Sequence, residues 1–321
     1  MPDQALPSML NASNSDRLPV ILVKTLDDLV KYKGKYGNPE NDCSLWANEF
    51  DLSLKADEMG LEKHINTSQL RSDVRIKTAT QMVVDDMDTI TNRWPPRFAA
   101  TSADRRRTVV LVMDNTAPEM FADLVLCEFL LGAGLAERIV FMPKIMPWFV
   151  SDVTQFDFDW LLKEALPGCA VSQKLAVWAE RWSQRFHEGS FALELHAFWT
   201  FPFGYNELQT RSPDLYRRLT MDCDVVIFKG DLNYRKLVED RLWTPDSQED
   251  KRTAFQRCFS NSLALDDDGD DDGGGSRPLL VALRVAKSDV AVGLTPARLQ
   301  AVRALDPQWW VKGLFGFAQF L

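Results

Sequence analysis

TVVLVMDNTAPEMFADLVLCEFLLGAG, residues 108–134, is the stretch on which the fold turns. Its first six residues form an unbroken apolar run rich in β-branched side chains, as in a strand buried on both faces. Asp114 and Asn115 stop that run. PEMFADLVLCEFLLGAG (118–134) then reads as a helix, with Pro118 in the first turn and Gly132 and Gly134 suited to the C-terminal cap. A doubly buried strand feeding directly into a helix is the repeating unit of an open parallel sheet.

Toward the C-terminus the unit repeats. RIVFMPK (138–144) is expected to be a second strand, SFALELHAFW (190–199) a third, DVVIFKG (224–230) a fourth and PLLVALRVAK (278–287) a fifth. FDFDWLLKEAL (156–166) and LAVWAERWSQRFHEG (175–189) are the helices between them. Strands alternating with helices predict an α/β fold, a mainly parallel sheet covered on both faces. The acidic run Asp266–Asp272 with the glycines after it reads as a solvated loop. Its spacing superficially resembles a calcium loop, but the closing glutamate is absent.

Toward the N-terminus the character changes. LPVILVKTLDDLVK (18–31) fits a short helix with Leu18, Ile21, Leu22, Leu26 and Leu29 inward. Thr67 and Ser68 could cap a helix to about Arg93, with Ile76, Ala79, Val83, Met87 and Ile90 at helical spacing and Pro95 and Pro96 ending it. The expected organisation is a helical region over 1–104 and an α/β domain over 105–321.

Composition narrows the function classes. The 321 residues are 45% hydrophobic and 26% charged, as in a packed globular protein. The net charge of -9 is mostly the run at 266–272, so it says little about partners, and no basic patch points to nucleic acid. Cys43, Cys127, Cys169, Cys223 and Cys258 are odd in number and lack a CxxC pair, which favours free thiols in a reducing compartment. The first ten residues lack a basic n-region and an apolar core, and no stretch of about 18 apolar residues occurs. The expectation is a cytoplasmic protein, with the nucleus also open to it, and no membrane partner.

In an open parallel sheet, ligands bind beyond the carboxyl ends of the strands. That edge collects Asp114 and Asn115, Ser151 and Asp152, the block Asp231-Leu232-Asn233-Tyr234-Arg235, and the cations Arg284 and Lys287. An Asp after a strand commonly caps a helix or makes an Asx turn, which is the plainer reading of each taken alone. Gathered carboxylates, however, repel unless a cation sits among them. Oxygen donors select a hard cation. His64, His187 and His196 show no ligand spacing, so zinc is not expected, and His196 reads as a satisfied core residue. Beside such a metal, Lys287 and Arg235 could neutralise phosphate oxygens. No GxxxxGK[ST], GxGxxG fingerprint or GxSxG elbow is present, and Thr116 stands where a haloacid-dehalogenase DxD motif needs its second Asp.

Several long segments together resemble one family. VVLVMDNTAPEMFADLVLCEFLL (109–131), PWFVSDVTQFDFDWLL (147–162), HAFWTFPFGYNEL (196–208), SPDLYRRL (212–219), DVVIFKGDLNYRKLVED (224–240) and RVAKSDVAVGL (284–294) look like the damage-control phosphatases. The nearest branch is the subgroup named for acidic-residue methyltransferase 1, also called sugar-phosphate phosphatases. SLWANEFDLSL (44–54) adds to the match. The resemblance implies a three-layer αβα sandwich with a helical N-terminal region. It implies a divalent metal (manganese, nickel, cobalt or magnesium) and hydrolysis of small phosphorylated metabolites such as fructose 1-phosphate. By position it implies Asp114, Asn115 and Asp152 as metal ligands, with Asp114 and Asp152 catalytic. Glu119, Asp231, Leu232, Asn233, Tyr234, Arg235 and Lys287 would bind substrate, and Glu119 comes from the resemblance alone.

Two departures stand out. The subgroup's Arg-Thr-x-Lys appears as Arg284-Val285-Ala286-Lys287, without the threonine hydroxyl. Between residues 31 and 44 the subgroup carries roughly a hundred further helical residues, so the helical region is expected to be shortened here. Two alternatives accompany the phosphatase reading: a carboxyl methyltransferase using S-adenosylmethionine on protein glutamates, although no glycine-rich cofactor loop follows the first strand, and an inactive interaction protein.

Overall fold

In the computed structural model, residues 81–99, 105–116, 118–168, 173–258 and 278–321 are described. Seven strands make one sheet: β1 (Met82–Asp85), β2 (Thr108–Val112), β3 (Arg138–Met142), β4 (Phe191–Leu193), β5 (Val225–Lys229), β6 (Leu279–Val285) and β7 (Gly316–Phe320). Their spatial order is β1-β7-β6-β5-β2-β3-β4. The run from β6 through β5, β2 and β3 to β4 is parallel throughout. β7 lies antiparallel to β6, and β1 parallel to β7.

The period-two geometry of a strand divides the buried side chains between two faces. On one face Val109, Leu111, Ile139, Phe141, Val225 and Ile227 meet the helices α2 (Pro118–Gly132) and α4 (Gln173–His187). On the other, Val110, Val112, Val140, Met142, Val226 and Phe228 pack with residues of α6 (Pro213–Met221), α7 (Gly230–Leu237) and α8 (Gln248–Cys258). That is the three-layer αβα sandwich the continuous apolar runs imply. Each such side chain, fully buried, contributes on the order of 1.5–3 kcal/mol. The remaining α-helices among the described residues are α1 (Met87–Ala99), α3 (Gln155–Trp160), the single turn α5 (Leu208–Arg211) and α9 (Pro296–Leu305). Among the described residues no helix is long and apolar enough to cross a membrane. Cys127 and Cys223 are buried free thiols.

The structure differs from the expected elements in four places. Met82–Asp85 is a strand rather than the middle of a helix, and the helix that follows runs through Pro95 and Pro96 to Ala99. Proline removes an N–H donor but keeps a helical φ, so two prolines near a helix end need not stop it. β1 also carries the sheet N-terminal of the expected boundary at 105. β4 is only three residues long; His196 lies beyond it, accepting from Phe198 N at 3.1 Å and lying 3.1 Å from Ser212 Oγ through its two ring nitrogens. The strand expected at 278–287 ends at Val285, which leaves Lys287 in the exit loop. The expected helix at 18–31, the start of the one at 67–93, SLWANEFDLSL and the acidic run 266–272 lie outside the described residues.

The bottom of the sheet is clamped by one carboxylate. Fully buried Asp224 accepts from Thr108 N at 2.7 Å and from Arg105 Nη2 at 2.5 Å, joining the start of β2 to the start of β5. Asp224→Ala would leave the Thr108 N–H buried without that acceptor, at a cost of about 1–3 kcal/mol. Denaturant unfolding should show that loss, with kcat unaffected because the clamp sits at the end of the sheet opposite the strand exits.

Candidate active site at the carboxyl edge of the sheet

From β2 the chain moves outward to β3 on one side, while β5 and β6 lie on the other. The edge between β2 and β5 is therefore the point at which strand order reverses, the place where an open α/β sheet leaves a crevice. Asp114 lies just past β2, and α7 begins at Gly230 immediately after β5.

The exit of β2 is zipped to the loop after β3. Val153 N donates to Asp114 O at 2.9 Å, Thr116 N to Ser151 O at 2.8 Å, and Asn115 and Asp152 form an antiparallel bridge. Thr116 Oγ1 then donates to Asp157 Oδ1 at 2.9 Å, fixing the start of α3. This backbone register brings Asp114, Asn115 and Asp152 together, all three buried.

Around them is a ring of charge. Lys144, at the exit of β3 and 1% exposed, places Nζ 2.7 Å from Asp152 Oδ1 and 3.7 Å from Asp114 Oδ1. Asp152 Oδ2 accepts from Trp148 N at 2.8 Å and Phe149 N at 2.7 Å, so it also pins the loop that precedes it. Asn115 Nδ2 donates to Asp114 Oδ2 at 3.0 Å and to Glu119 Oε2 at 2.8 Å, while its Oδ1 accepts from Ser151 Oγ at 2.7 Å. Glu119 and Asp123, one turn apart on α2, share Lys229 at 3.2 and 2.8 Å. Those two carboxylates hold the Lys229 ammonium above its ordinary value, although burial works against them. Burial pushes the Asp114 carboxyl up to about 7; Lys144 and Lys287 pull it down, and Glu119 and Asp152 add to the rise.

Four buried carboxylates, Asp114, Glu119, Asp123 and Asp152, thus face two buried ammonium groups, Lys144 and Lys229. The excess is negative in both halves: Asp114 and Asp152 share Lys144, and Glu119 and Asp123 share Lys229. Two carboxylates with a neighbouring amide oxygen form an oxygen-only donor set of the type hard divalent cations take. The residues present therefore fit such an ion. Among the described residues no three His, Cys, Asp or Glu side chains cluster as a metal cage. The candidate donors here are instead two carboxylates and an asparagine, whose amide N–H lies toward Asp114 and whose oxygen lies toward Ser151.

The structure divides the expected substrate block. Asp231 Oδ1 accepts from Arg284 Nε at 2.7 Å, Lys287 N at 3.0 Å and Ser288 Oγ at 3.2 Å, tying the loop after β6 to the start of α7. Asn233 is fully buried and bonded to Tyr205 Oη at 2.5 Å, Lys229 O at 2.7 Å and Met113 O at 3.1 Å. Tyr234 is buried beneath Arg284, with its hydroxyl on Gln319 Oε1 at 3.0 Å. Asn233 and Tyr234 thus turn inward, while Leu232 and Arg235 line a cavity of about 320 Å³ together with Trp148, Gly204, Lys236 and Glu239. Arg235 pairs with Asp240 at 2.6 Å. Lys287 lies half-buried near Asp114.

Sequence reasoning missed Lys144, Lys229, Asp123 and Lys236. Two of these carried a signal. Lys144 and Lys229 close runs of otherwise buried strand residues, VFMPK and VVIFK, where a lysine needs a carboxylate partner.

Comparisons with known proteins place the chain in a family. Residues 41–302 match the family model of the damage-control phosphatase ARMT1-like domain. The chain is similar to the proteins named Damage-control phosphatase ARMT1 of Danio rerio (32% identity, 86% of this chain, 56% of that protein) and of Homo sapiens (32%, 86% and 57%). Its similarity to the Macaca fascicularis protein of the same name is 31%, over 93% of this chain and 62% of that one. The chain spans a little over half the length of these relatives. A DUF89 family protein from Pyrococcus horikoshii aligns at 14% identity with a TM-score of 0.38, over 93% of this chain and 71% of that one, too loose a match to argue from.

Proposed function

The chain belongs to the damage-control phosphatase family, in its ARMT1-like branch, and from that premise we propose that it is a divalent-metal-dependent phosphatase that cleaves small phosphorylated metabolites. Sugar phosphates such as fructose 1-phosphate are the substrates proposed first. The observation that carries the reading is the meeting of Asp114, Asn115 and Asp152 at the sheet's switch point, with Lys144 between the two carboxylates.

In this reading Asp114, Asn115 and Asp152 hold the metal. When bound, the metal supplies positive charge to a phosphoryl oxygen. The chain's own groups do the remainder. Glu119 orients the Asn115 amide so that its oxygen stays on the side of Ser151. Lys144 offsets the charge of the carboxylates when no cation is present and adds positive charge to the crevice when one is. Asp231 positions Lys287 by taking its backbone N–H, directing a further ammonium toward Asp114. The dry setting strengthens each of these interactions relative to water. The cavity of Trp148, Leu232 and Arg235 is large enough for the leaving alcohol.

The test is metal removal. Chelator-treated protein should lose hydrolysis of fructose 1-phosphate and regain it with manganese, cobalt, nickel or magnesium. Full turnover in excess chelator would show that the carboxylates act without a metal, and the reading would fall.

A further inference from the structure

Lys236 is a buried cation that the site described so far does not use. It lies on α7, two turns past Gly230, and is 7% exposed. Its Nζ donates to Phe201 O at 2.7 Å and Trp199 O at 3.1 Å. Three rings surround it, Trp148 at 5.4 Å, Tyr205 at 5.5 Å and Phe198 at 5.7 Å. Among the described residues it has no carboxylate within ion-pair distance. The other cations nearby differ: Lys144 is held by Asp152, Arg235 by Asp240, and Arg241 by Glu239. A buried ammonium without a counter-ion is costly, and chains keep one where an anion will arrive.

The surroundings say which anion. Lys236 opens onto the cavity shared with Trp148 and Leu232. The Trp148 ring that it faces belongs to the residue whose N–H binds Asp152. Lys144 and Asp152 both act on Lys236 electrostatically, and burial together with Lys144 lowers its ammonium to about 8. Lys236 thus lines the cavity and is linked to Asp152 through one residue, Trp148. We infer that Lys236 binds the phosphate of the substrate, taking a non-bridging oxygen on the side facing the cavity. The phosphate would then bridge the trio and Lys236, and the leaving group would lie along Trp148 and Leu232. This rests on the phosphatase reading for its substrate but adds a phosphate contact and an orientation to it.

The experiment measures binding of inorganic phosphate to the magnesium-loaded full chain by calorimetry, apart from turnover. Lys236→Gln keeps an N–H donor for the carbonyls of Trp199 and Phe201 and removes the charge, whereas Lys236→Met removes both. Loss of one charge-assisted hydrogen bond should weaken phosphate by about 10- to 100-fold in both variants. In Lys236→Gln this should come with a melting temperature close to wild type, and Lys236→Arg should recover part of the affinity. Wild-type affinity in a folded Lys236→Gln would overturn the inference and leave Lys236 as a tie for the loop at Trp199. A wild-type crystal soaked in phosphate gives a check that needs no variant; an oxygen outside hydrogen-bond reach of Lys236 Nζ would also overturn it. Turnover of fructose 1-phosphate by wild type decides the phosphatase reading separately, so the two can fail independently.

Discussion

Asp152→Asn should lower kcat/KM for phosphomonoesters by about a thousandfold or more, equivalent to about 4 kcal/mol of barrier. The substitution removes a charge from the proposed cation site, and it also reverses a hydrogen bond. Asp152 now accepts from Lys144 on one oxygen and from Trp148 N and Phe149 N on the other. An asparagine has one acceptor oxygen. If that oxygen keeps the two backbone donors, its amide N–H group faces the Lys144 ammonium, donor against donor. Lys144 is 1% exposed, and among the described residues the carboxylate left to it would be Asp114, 3.7 Å away. Breaking a buried pair by altering one partner commonly costs about 3–5 kcal/mol. The variant should therefore unfold more easily as well as turn over more slowly. Kinetics on protein shown to be folded by circular dichroism separates the two effects. Turnover within tenfold of wild type would mean that Asp152 is only the cap of its own loop.

How far these features could be read from sequence depends on how local their causes are. The strands β2, β3 and β5 were legible because Val109–Val112, Ile139–Met142 and Val225–Phe228 are apolar without a break, and a run apolar at each position leaves no choice of face. β1 and β7 were not. MVVD is four residues set within a helical spacing, and GFAQF is a short alternating segment whose partner, β6, is fixed only by tertiary pairing. Asp114, Asn115 and Asp152 followed from one topological rule about strand ends. The partners of Lys229 did not, because they are carboxylates far along the chain. Lys229 pairs with Asp123, 106 residues away. Tyr234 and Asn233 sit in the expected substrate block, yet their side chains point into the core. An eight-residue helix has two faces, and the sequence does not say which one the crevice takes.

One position at the site depends on having no side chain. Gly230 has φ +86°, a conformation L side chains rarely adopt, and its Cα lies against Asp114. A Cβ built there would be 1.8 Å from Asp114 Oδ2 and 2.1 Å from its Cγ. Gly230→Ala must therefore displace the Asp114 carboxylate or the start of α7. The left-handed backbone alone costs about 1–2 kcal/mol for alanine. Displacing a reacting group by about 1 Å can cost on the order of a hundredfold in rate. Gly134 provides the control, because it also has a positive φ, +70°, but no atom within 4 Å of its would-be Cβ. Gly134→Ala should carry the backbone strain and leave turnover near wild type. Gly230→Ala should lose both stability and about a hundredfold or more in kcat/KM, with weaker metal binding by calorimetry. Equal turnover in the two variants would mean that the position of Asp114 does not limit the reaction, and the carboxylate would then have to act through its charge at longer range.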